Sequence, residues 1–499
     1  MPAKPMVDKE KGSGPAAISR GLFLFVAIHM LVWILVPALR KSMSPDALEA
    51  INWGLSGGWV NDKHPPLSGF LAAFFYGFLG GGIGICILTQ LCSLVGFIYI
   101  YRLAREFFRD AVRPAMSVIL LEGVSYYAFA TQQFNVNILS LATWPAAAFY
   151  FYRSMHGGKM ADWILLGAAI GINVLAKYSC AFLFVGFAAY FALSGKRGWS
   201  ALETPGPYVC ALVAALIVAP HAHAMYVSGF PALEYAAAKD HAAGLLSAAI
   251  SSLRFAGALA LSGLGALLVY FLARRRFGAG RRGMKRDDTL FILAVGAGPA
   301  IAMMLTGIAF NLSLKSGWGV PMLYMLSISL LYFFPLKAGV ESWRMVTRGM
   351  YILMAVMAAA NAAVIITSKS ERFNMSGPEF AEEIEELWKQ GTGGAPLKYV
   401  AGDTWYTAIM SIYGAARPTT VMRIDRSYRH VLGRAELDGG GLMLFAPKAG
   451  MGKLQRHFGV SAPFRAHEFH LTNRMGERTR HALGYSIVPP RPATGGSHE

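Results

Sequence analysis

The sequence predicts a polytopic α-helical membrane protein with about eleven transmembrane helices and a small α/β domain near the C-terminus. The first observation is composition: of 499 residues, 55% are hydrophobic and only 15% are charged. A water-soluble domain carries about 25% charged residues, so water cannot solvate most of this chain. The second observation is a series of separate apolar stretches. The third is a shift to a polar, mixed composition after residue 368.

The apolar stretches define the predicted transmembrane spans. They cover residues 20–39, 80–101, 114–131, 138–152, 162–176, 179–194, 207–221, 251–272, 289–309, 317–335 and 349–367. Several are shorter than the ~20 residues that cross a ~30 Å hydrocarbon core. The boundaries of these spans are therefore imprecise, and one of the stretches can be a re-entrant segment. Residues 67–78 predict a helix partly embedded at the membrane surface. A basic leader without a clear cleavage site precedes the first span, which indicates an uncleaved anchor.

Basic residues concentrate in alternate loops and predict the orientation. They are Arg102, Arg105, Arg109, Arg113, Arg153, Lys159, Lys196, Arg197, the run in residues 274–286, Lys337, Arg344 and Arg348. An excess of Lys and Arg marks the cytoplasmic side, so the N-terminus is predicted to be cytoplasmic and the C-terminal domain external. Arg40 and Lys41 are the main exception. Because the net charge of +18 lies largely in such loops, no nucleic-acid partner is expected.

Three regions follow from this pattern. Residues 1–368 form the transmembrane domain, and its first outer loop spans residues 40–67. Residues 369–490 form the predicted soluble α/β domain, in which helices and strands alternate. Its predicted helices cover residues 379–390 and 404–413, and its strands cover 397–401, 419–424 and 442–445. Residues 491–499 are predicted to be a disordered tail.

The first outer loop contains the carboxylates that suggest catalysis. Asp46 and Glu49 are three residues apart, so on a helix they share a face. One interpretation makes one of them a general base. The alternative is an ordinary helix start, with Ser44 as the cap and Pro45 at the first position. Further polar candidates in this loop are Asp62, Lys63 and His64.

The other outer loops add amides, lysines and histidines. Asn135 and Asn137 either bind sugar hydroxyls or cap the next span. Lys177 and Lys315 either snorkel to the membrane interface or bind a phosphate. Their neighbours Tyr178 and Trp318 are supporting candidates, as is His221. His221 and His223 are two apart, which does not place them on one helix face, so no metal site is predicted, although a divalent metal remains possible.

Several of these segments resemble bacterial lipid-linked-sugar glycosyltransferases of the GT-C class. The class is related to protein O-mannosyltransferases, aminoarabinose transferases and lipopolysaccharide galacturonosyltransferases. The similar segments are residues 46–53 (DALEAINW), 63–67 (KHPPL), 134–137 (FNVN), 175–178 (LAKY), 315–321 (KSGWGVP) and 399–405 (YVAGDTW). The KHPPL segment is the most specific of them. The resemblance covers most of the chain in order and implies a GT-C fold in a bacterial inner membrane.

The resemblance implies sugar transfer from a polyprenyl-phosphate donor on the periplasmic face. The acceptor would be lipid A or the lipopolysaccharide core, another glycolipid or a protein. Asp46 matches the acidic residue that the family uses as its usual candidate for general base. Asn135 is an amide where relatives are often acidic, which puts a two-carboxylate mechanism in doubt. Lys63, His64, Lys177 and Lys315 are the candidates for stabilising the leaving phosphate.

Two other functional classes remain open from the sequence. A multi-spanning transporter or flippase of a lipid-linked or anionic substrate would favour internal repeats and ionisable groups near the bilayer midplane. The sequence shows no repeat, and its ionisable groups cluster near the ends of spans. A membrane-anchored binding or sensor protein would place its specificity in residues 369–490 and would leave the polar outer loops unexplained.

Overall fold

The computed structural model describes residues 14–61, 63–237, 241–281, 283–421, 440–446 and 448–490. Within these residues the chain is mostly helical. The α-helices are α1 (Gly14–Ala38), α2 (Pro45–Leu55), α3 (Leu67–Leu79), α4 (Gly82–Phe107), α5 (Val112–Ile119), α6 (Val136–Gly157), α7 (Met160–Ala176), α8 (Cys180–Leu193), α9 (Lys196–Ala201), α10 (Gly206–Val227), α11 (Pro231–Ala237), α12 (Leu245–Ser262), α13 (Leu264–Phe277), α14 (Arg286–Phe291), α15 (Gly298–Ala309), α16 (Leu326–Phe333), α17 (Val340–Thr367), α18 (Glu371–Asn374), α19 (Gly377–Thr392), α20 (Thr404–Tyr413) and α21 (Lys448–Phe458). Short 3-10 helices cover Leu120–Gly123, Phe129–Gln132 and Ser316–Leu323, and a π-helix covers Ile292–Ala297.

Fewer helices than predicted are long and apolar enough to cross a membrane. Among the described residues six qualify by length and composition. A seventh qualifies if the 3-10 helix Ser316–Leu323 and α16, which meet at 53°, form one bent span. α7 and α8 are apolar but shorter. The count of about eleven spans is therefore not confirmed, although the apolar helices support a multi-pass membrane protein.

The predicted span over residues 114–131 is wrong as a single helix. α5 ends at Ile119 and continues as the 3-10 helix Leu120–Gly123, after which the chain turns. Close packing is one reason, because a Cβ atom at Gly123 would lie 2.3 Å from the backbone nitrogen of Ala266 in α13. The predicted span over residues 251–272 is likewise divided, since α12 ends at Ser262 and α13 begins at Leu264.

The described residues within 369–490 form a five-stranded sheet. Its strands are β1 (Tyr399–Gly402), β2 (Thr419–Val421), β3 (Leu442–Ala446), β4 (Arg465–Thr472) and β5 (Arg478–Val488), in the order β2-β1-β3-β5-β4. β1 pairs in parallel with β2 and β3, whereas β5 pairs antiparallel with β3 and β4. Alternate residues of β3 point to opposite faces. Met443 and Phe445 join the core with α19 and α20, while Leu442 and Leu444 pack with α21.

The two ends of the long helices carry different chemistry. α4 has 26 residues, so its ends are about 39 Å apart. At its C-terminal end the predicted cytoplasmic loops come together: Arg153 lies 3.6 Å from Glu106 and 3.3 Å from Asp162, and Arg197 forms an ion pair with Asp287. We call this end the basic face. The opposite end, where α6 begins and α7 ends, is called the site face.

Helix α2 crosses α3 and also contacts the sheet region on the site face. The crossing is close because a Cβ atom at Gly54 would lie 2.0 Å from the carbonyl oxygen of Gly69. On its other side, Asn52 of α2 donates a hydrogen bond to Oγ1 of Thr420 and accepts one of 3.0 Å from Oγ of Ser411. These contacts hold α2, and with it Asp46 and Glu49, in one place.

Candidate active site

Loops that lie far apart in the chain meet in one cavity on the site face. This cavity, called the site cavity, has a volume of about 410 Å3. Its lining residues are Lys63, His64, Val136, Asn137, Lys177, Tyr178, Ser179, Phe182, Ala232, Met303, Thr306, Leu312, Leu314, Lys315 and Trp318. Seven of them are residues that the sequence analysis proposed, and they come from four separate segments of the chain.

Lys177 is the most enclosed cation of the site cavity. It follows the last residue of α7, and only 7% of its surface is exposed. Its Nζ donates a hydrogen bond to Oδ1 of Asn137. A lysine that snorkels keeps its ammonium group in interfacial water. Burial against Asn137 therefore favours the ligand-binding interpretation of Lys177 over the snorkelling one.

Lys63 links the site cavity to α2. Its Nζ forms an ion pair with Oε1 of Glu49 and lies 6.0 Å from the ring centroid of Trp53. The ring of His64 meets the same Trp53 ring edge-on, with 5.8 Å between the centroids. Glu49 is 7% exposed, so it provides a buried negative charge that positions Lys63. This assigns Glu49 a supporting role.

Lys315 and Trp318 enter the site cavity from the 3-10 helix Ser316–Leu323. Lys315 immediately precedes this helix and is exposed. The hydroxyl of Tyr126 donates a 3.1 Å hydrogen bond to the carbonyl oxygen of Ser316. Gly319 lies against α12, where a Cβ atom would come within 2.6 Å of Leu259. These contacts fix the loop that carries the third lysine.

His221 joins the first outer loop to the turn after α7. It is 3% exposed, and its Nε2 lies 2.9 Å from the hydroxyl of Tyr178. Its Nδ1 lies 2.7 Å from the carbonyl oxygen of Trp59. Burial raises the pKa of Tyr178 to about 12, so its hydroxyl stays protonated at neutral pH and can donate a hydrogen bond. His221 therefore supports the site through Tyr178.

Asp46 lies in the first turn of α2, beside the site cavity rather than among its lining residues. Ser44 caps the helix, since its Oγ accepts a 3.3 Å hydrogen bond from the backbone N–H of Ala47. Asp46 itself is therefore not needed as the cap. The side chain of Asp46 is exposed on α2, but the protein around it partly desolvates the carboxyl group and raises its pKa, and the positive charges of Lys63 and Arg372 oppose that rise. Arg372 was not identified from the sequence, because it lies more than 300 residues away in α18.

Asn135 occupies a different position from the other predicted ligands. Its Oδ1 accepts hydrogen bonds of 2.8 Å and 3.4 Å from the backbone N–H groups of Asn137 and Ile138, so it caps α6. It does not appear among the described residues that line the site cavity. The hydrogen bonds therefore support the capping alternative for Asn135, and its role as a donor ligand stays a prediction. Asp62 lies outside the described residues.

One group of side chains among the described residues has the spacing of metal ligands. His156, Asp287 and Asp288 place ligand atoms within 4.8 Å of one another on the basic face. Asp287 already accepts a 3.0 Å hydrogen bond from Tyr190 and forms an ion pair with Arg197. These contacts give Asp287 a structural role that joins α8, α9 and α14.

Sequence comparisons show similarity to glycosyltransferases. The family model for dolichyl-phosphate-mannose-protein mannosyltransferases matches residues 63–223. The lipopolysaccharide core galacturonosyltransferase RgtB of Rhizobium johnstonii is 26% identical over 365 residues, which are 68% of this chain and 70% of the relative. The galacturonosyltransferase RgtA of the same organism is 24% identical over 368 residues, again 68% of this chain and 70% of the relative.

Solved structures extend the similarity to the whole fold. The crystal structure of ArnT from Cupriavidus metallidurans bound to undecaprenyl phosphate has a TM-score of 0.62 at 14% identity, covering 93% of this chain and 97% of that one. The apo structure of the same protein also has a TM-score of 0.62, at 15% identity, covering 94% and 98%. The predicted resemblance to GT-C fold glycosyltransferases is confirmed, and the similarity supports a membrane glycosyltransferase.

Proposed function

We propose that this chain transfers a sugar from a polyprenyl-phosphate donor to an acceptor hydroxyl on the periplasmic side of a bacterial inner membrane. The observation that carries the proposal is the convergence of Lys63, Lys177 and Lys315 on one cavity beside Asp46. Cations and a nearby base are the two requirements for displacing a sugar phosphate. The undecaprenyl phosphate bound by the structurally similar ArnT supports this class of donor.

The site cavity suits both parts of such a donor. The three lysines provide positive charge for the phosphate, and the amide of Asn137 and the hydroxyl of Tyr178 provide hydrogen bonds for the sugar. Apolar side chains that include Phe182, Met303 and Leu314 form other walls, which suit a prenyl chain. A donor dissolved in the bilayer would enter from the lipid side.

The proposed reaction is a direct displacement at the anomeric carbon. The acceptor oxygen forms a bond to that carbon while the bond between the carbon and the phosphate oxygen breaks. Asp46 takes the proton of the acceptor hydroxyl, and the bonding electron pair leaves with the phosphate, whose charge the lysines stabilise. One displacement inverts the configuration at the anomeric carbon. Asp46 must be ionised to act in this way.

The acceptor class and the topology belong to the same proposal. The galacturonosyltransferase relatives support lipid A or the lipopolysaccharide core as the acceptor class, ahead of other glycolipids or proteins. Residues 1–368 would form the transmembrane domain with about eleven spans and a cytoplasmic N-terminus. Residues 369–490 would then form a periplasmic α/β domain above the site.

Incubation of the purified protein with radiolabelled polyprenyl-phosphate sugars tests the proposal. Transfer of label to lipid A or to core-carrying lipid A is the expected result. Uptake or flipping of the labelled donor by reconstituted vesicles, without formation of a new glycosidic bond, would instead support the transporter alternative. No bond formation with any polyprenyl-phosphate sugar would reject the proposed function.

A further inference from the structure

A second cavity on the site face is lined by Arg40 and Lys41, the two basic residues that are the main exception to the predicted charge pattern of the loops. It has a volume of about 250 Å3, and its lining includes Arg40, Lys41, Ser44, Gln132 and Tyr413. No Asp or Glu lines this cavity among the described residues. We call it the Arg40 pocket. Lys41 and Arg40 are therefore cations on the site face that the donor site does not use.

Arg40 is held in place by neutral groups. Its Nη2 donates a 3.3 Å hydrogen bond to Oε1 of Gln132, and its guanidinium carbon lies 4.8 Å from the ring centroid of Phe373. Nε of Arg40 and Nε2 of Gln132 are buried without a hydrogen-bond partner among the described residues. Gln132 is only 6% exposed. The described residues therefore leave two hydrogen-bond donors at this pocket unused.

The charge of Arg40 points to an anionic ligand. No described acidic side chain forms an ion pair with Arg40, although a partly buried cation normally requires a counter-charge. A guanidinium group binds phosphate and carboxylate groups through paired hydrogen bonds. The walls of the pocket include Ala38 at the end of α1 and Ile83 at the start of α4. Ile83 is 39% exposed, so the apolar wall continues onto the outer surface of the helices.

The Arg40 pocket borders the first turn of α2, which carries Asp46. Ser44 and Ala47, which flank Asp46 in the sequence, line the Arg40 pocket. Lys63, whose charge acts on Asp46, lines the site cavity. A lipid held by its anionic group in the Arg40 pocket would thus lie next to the turn that carries Asp46. This is the residue that the acceptor hydroxyl must reach.

We propose that the Arg40 pocket is the acceptor subsite and binds an anionic oxygen group, a phosphate or a sugar carboxylate, on the acceptor lipid. The identity of the ligand as the acceptor rests on the proposed transferase function. The binding of the anionic group does not, because it follows from the pocket itself. The alternative to a specific acceptor subsite is nonspecific binding, in which Arg40 contacts the phosphate of a bulk phospholipid at the membrane surface.

Binding measurements by native mass spectrometry test the subsite without requiring turnover. The purified wild type, Arg40→Gln, Gly82→Leu and the control Arg474→Gln are each titrated with bis-phosphorylated lipid A, dephosphorylated lipid A, dephosphorylated lipid A carrying core carboxylates, and phosphatidylglycerol. Gly82→Leu fills the pocket without removing charge, since a Cβ atom there already lies 3.6 Å from Cγ of Met43. Arg474 is an exposed cation that donates a 3.0 Å hydrogen bond to the carbonyl oxygen of Leu39 beside the pocket.

Arg40→Gln and Gly82→Leu are expected to weaken binding of the anionic lipid A by about tenfold or more, while Arg474→Gln binds as the wild type does. Loss of binding when the phosphates, or the core carboxylates, are absent from the lipid identifies which of these groups the pocket binds.

Unchanged binding of anionic lipid A by folded Arg40→Gln would overturn the proposal. Equal and competing binding of phosphatidylglycerol would overturn it too. Arg40-dependent binding without any sugar transfer would reject the proposed function but keep the anion site. Normal transfer with an unchanged acceptor KM in Arg40→Gln would reject the acceptor subsite alone.

Discussion

On the site face, the acidic side chains of α2 lie close to basic side chains. Asp46 is the residue on which the proposed chemistry depends, and Lys63 and Arg372 are the cations whose charges act on it. Glu49 lies one helical turn further along α2 and pairs with Lys63. Asp46 and Glu49 thus have different environments, which is how one can remain available to accept a proton while the other holds a lysine.

Replacing Asp46 tests its role as the general base. Asp46→Asn keeps the size of the side chain but cannot accept the proton, so the transfer rate should fall by about 100- to 10,000-fold. Ser44→Ala is the matched control, because loss of this helix cap should cost about 1 kcal/mol of stability and leave most of the rate. Transfer rate and thermal midpoint are measured together for both variants. A folded Asp46→Asn protein with full activity would exclude Asp46 as the base.

The pH dependence provides a second test of Asp46. Because partial desolvation raises its pKa above the ordinary value of 3.8, the transfer rate should increase with pH through that raised pKa, as Asp46 ionises. The effect on stability has the opposite sign. A raised pKa in the folded state stabilises the fold below pH 3.8, and this contribution is lost as pH rises through the folded-state pKa. The thermal midpoints of the wild type and of Asp46→Asn should therefore be measured at a series of pH values. Any stability advantage of the wild type at low pH should shrink or reverse over the pH range in which the transfer rate rises.

Lys177 is the lysine whose removal should affect the donor most. It is buried against Asn137 in the site cavity, where water screens its charge least. Lys177→Met should lower kcat/KM for the polyprenyl-phosphate donor by about 100-fold, the typical loss for one group that stabilises developing negative charge. Lys389→Met, at an exposed position in the last turn of α19, is the control and should retain full activity. Equal activity of both variants would show that the leaving phosphate is stabilised elsewhere.

Most of the site residues could be identified from the sequence, whereas their partners could not. The lysines and aromatic residues stand out because polar side chains are rare between apolar spans. Arg372 acts on Asp46 by its charge across the fold, and nothing in its local sequence distinguishes it from an ordinary surface residue. Asn135 shows a related limit, since an amide before a helix can cap it or bind a ligand, and only the hydrogen bonds from Asn137 and Ile138 show that its Oδ1 caps α6.

Among the structural elements, α2 connects the first outer loop of the site to α3 and to the sheet region. It carries Asp46 and Glu49, crosses α3 at a pair of glycines and contacts Thr420 and Ser411 in the sheet region. A short helix held on several sides can place a base more accurately than a mobile loop can. Its position therefore depends on backbone packing as much as on the charged side chains.

A pair of glycine substitutions tests this dependence. A Cβ atom at Gly54 would lie 2.0 Å from the carbonyl oxygen of Gly69, so Gly54→Ala should push α2 and α3 apart. Overpacking of this kind costs about 1–3 kcal/mol, and the displaced Asp46 should lower the transfer rate as well. Gly77→Ala on α3 is the matched control, because nothing lies within 4 Å of its Cβ position. Equal thermal midpoints and rates for the two variants would show that α2 is not fixed by this crossing.

The secondary structure shows where sequence patterns were sufficient. The predicted helices at residues 379–390 and 404–413 are present, and so, within a residue or two, are the strands predicted at residues 397–401 and 442–445, because local patterns of apolar residues identify these elements. β4 and β5 were missed because β4, the edge strand, and the first half of β5, which pairs with it, are rich in charged and histidine residues. The break after α5 was missed because Gly123 packs against α13, a contact distant in sequence.

At the scale of the whole molecule, the two faces separate structural charges from the proposed chemistry. On the basic face, arginines pair with acids, as Arg153 does with Asp162 and Arg197 with Asp287. On the site face, lysines surround the site cavity and Arg40 has no acidic partner among the described residues. Such a distribution suits an enzyme that binds anionic lipids at one membrane surface and is held in orientation by its charges at the other.

The orientation of these faces in the membrane is the last prediction. Single cysteines are introduced at Arg109 and Lys196 on the basic face and at Leu245 and Gly452 on the site-face side, in a chain whose four native cysteines are replaced. All four positions are exposed. A membrane-impermeant maleimide added to spheroplasts should label only Leu245→Cys and Gly452→Cys, because the excess of arginine and lysine keeps the basic face in the cytoplasm. Permeabilised cells, in which all four variants should react, are the control. Labelling of Arg109→Cys but not of Gly452→Cys in intact spheroplasts would place the site face in the cytoplasm, and a periplasmic transfer reaction would then be impossible.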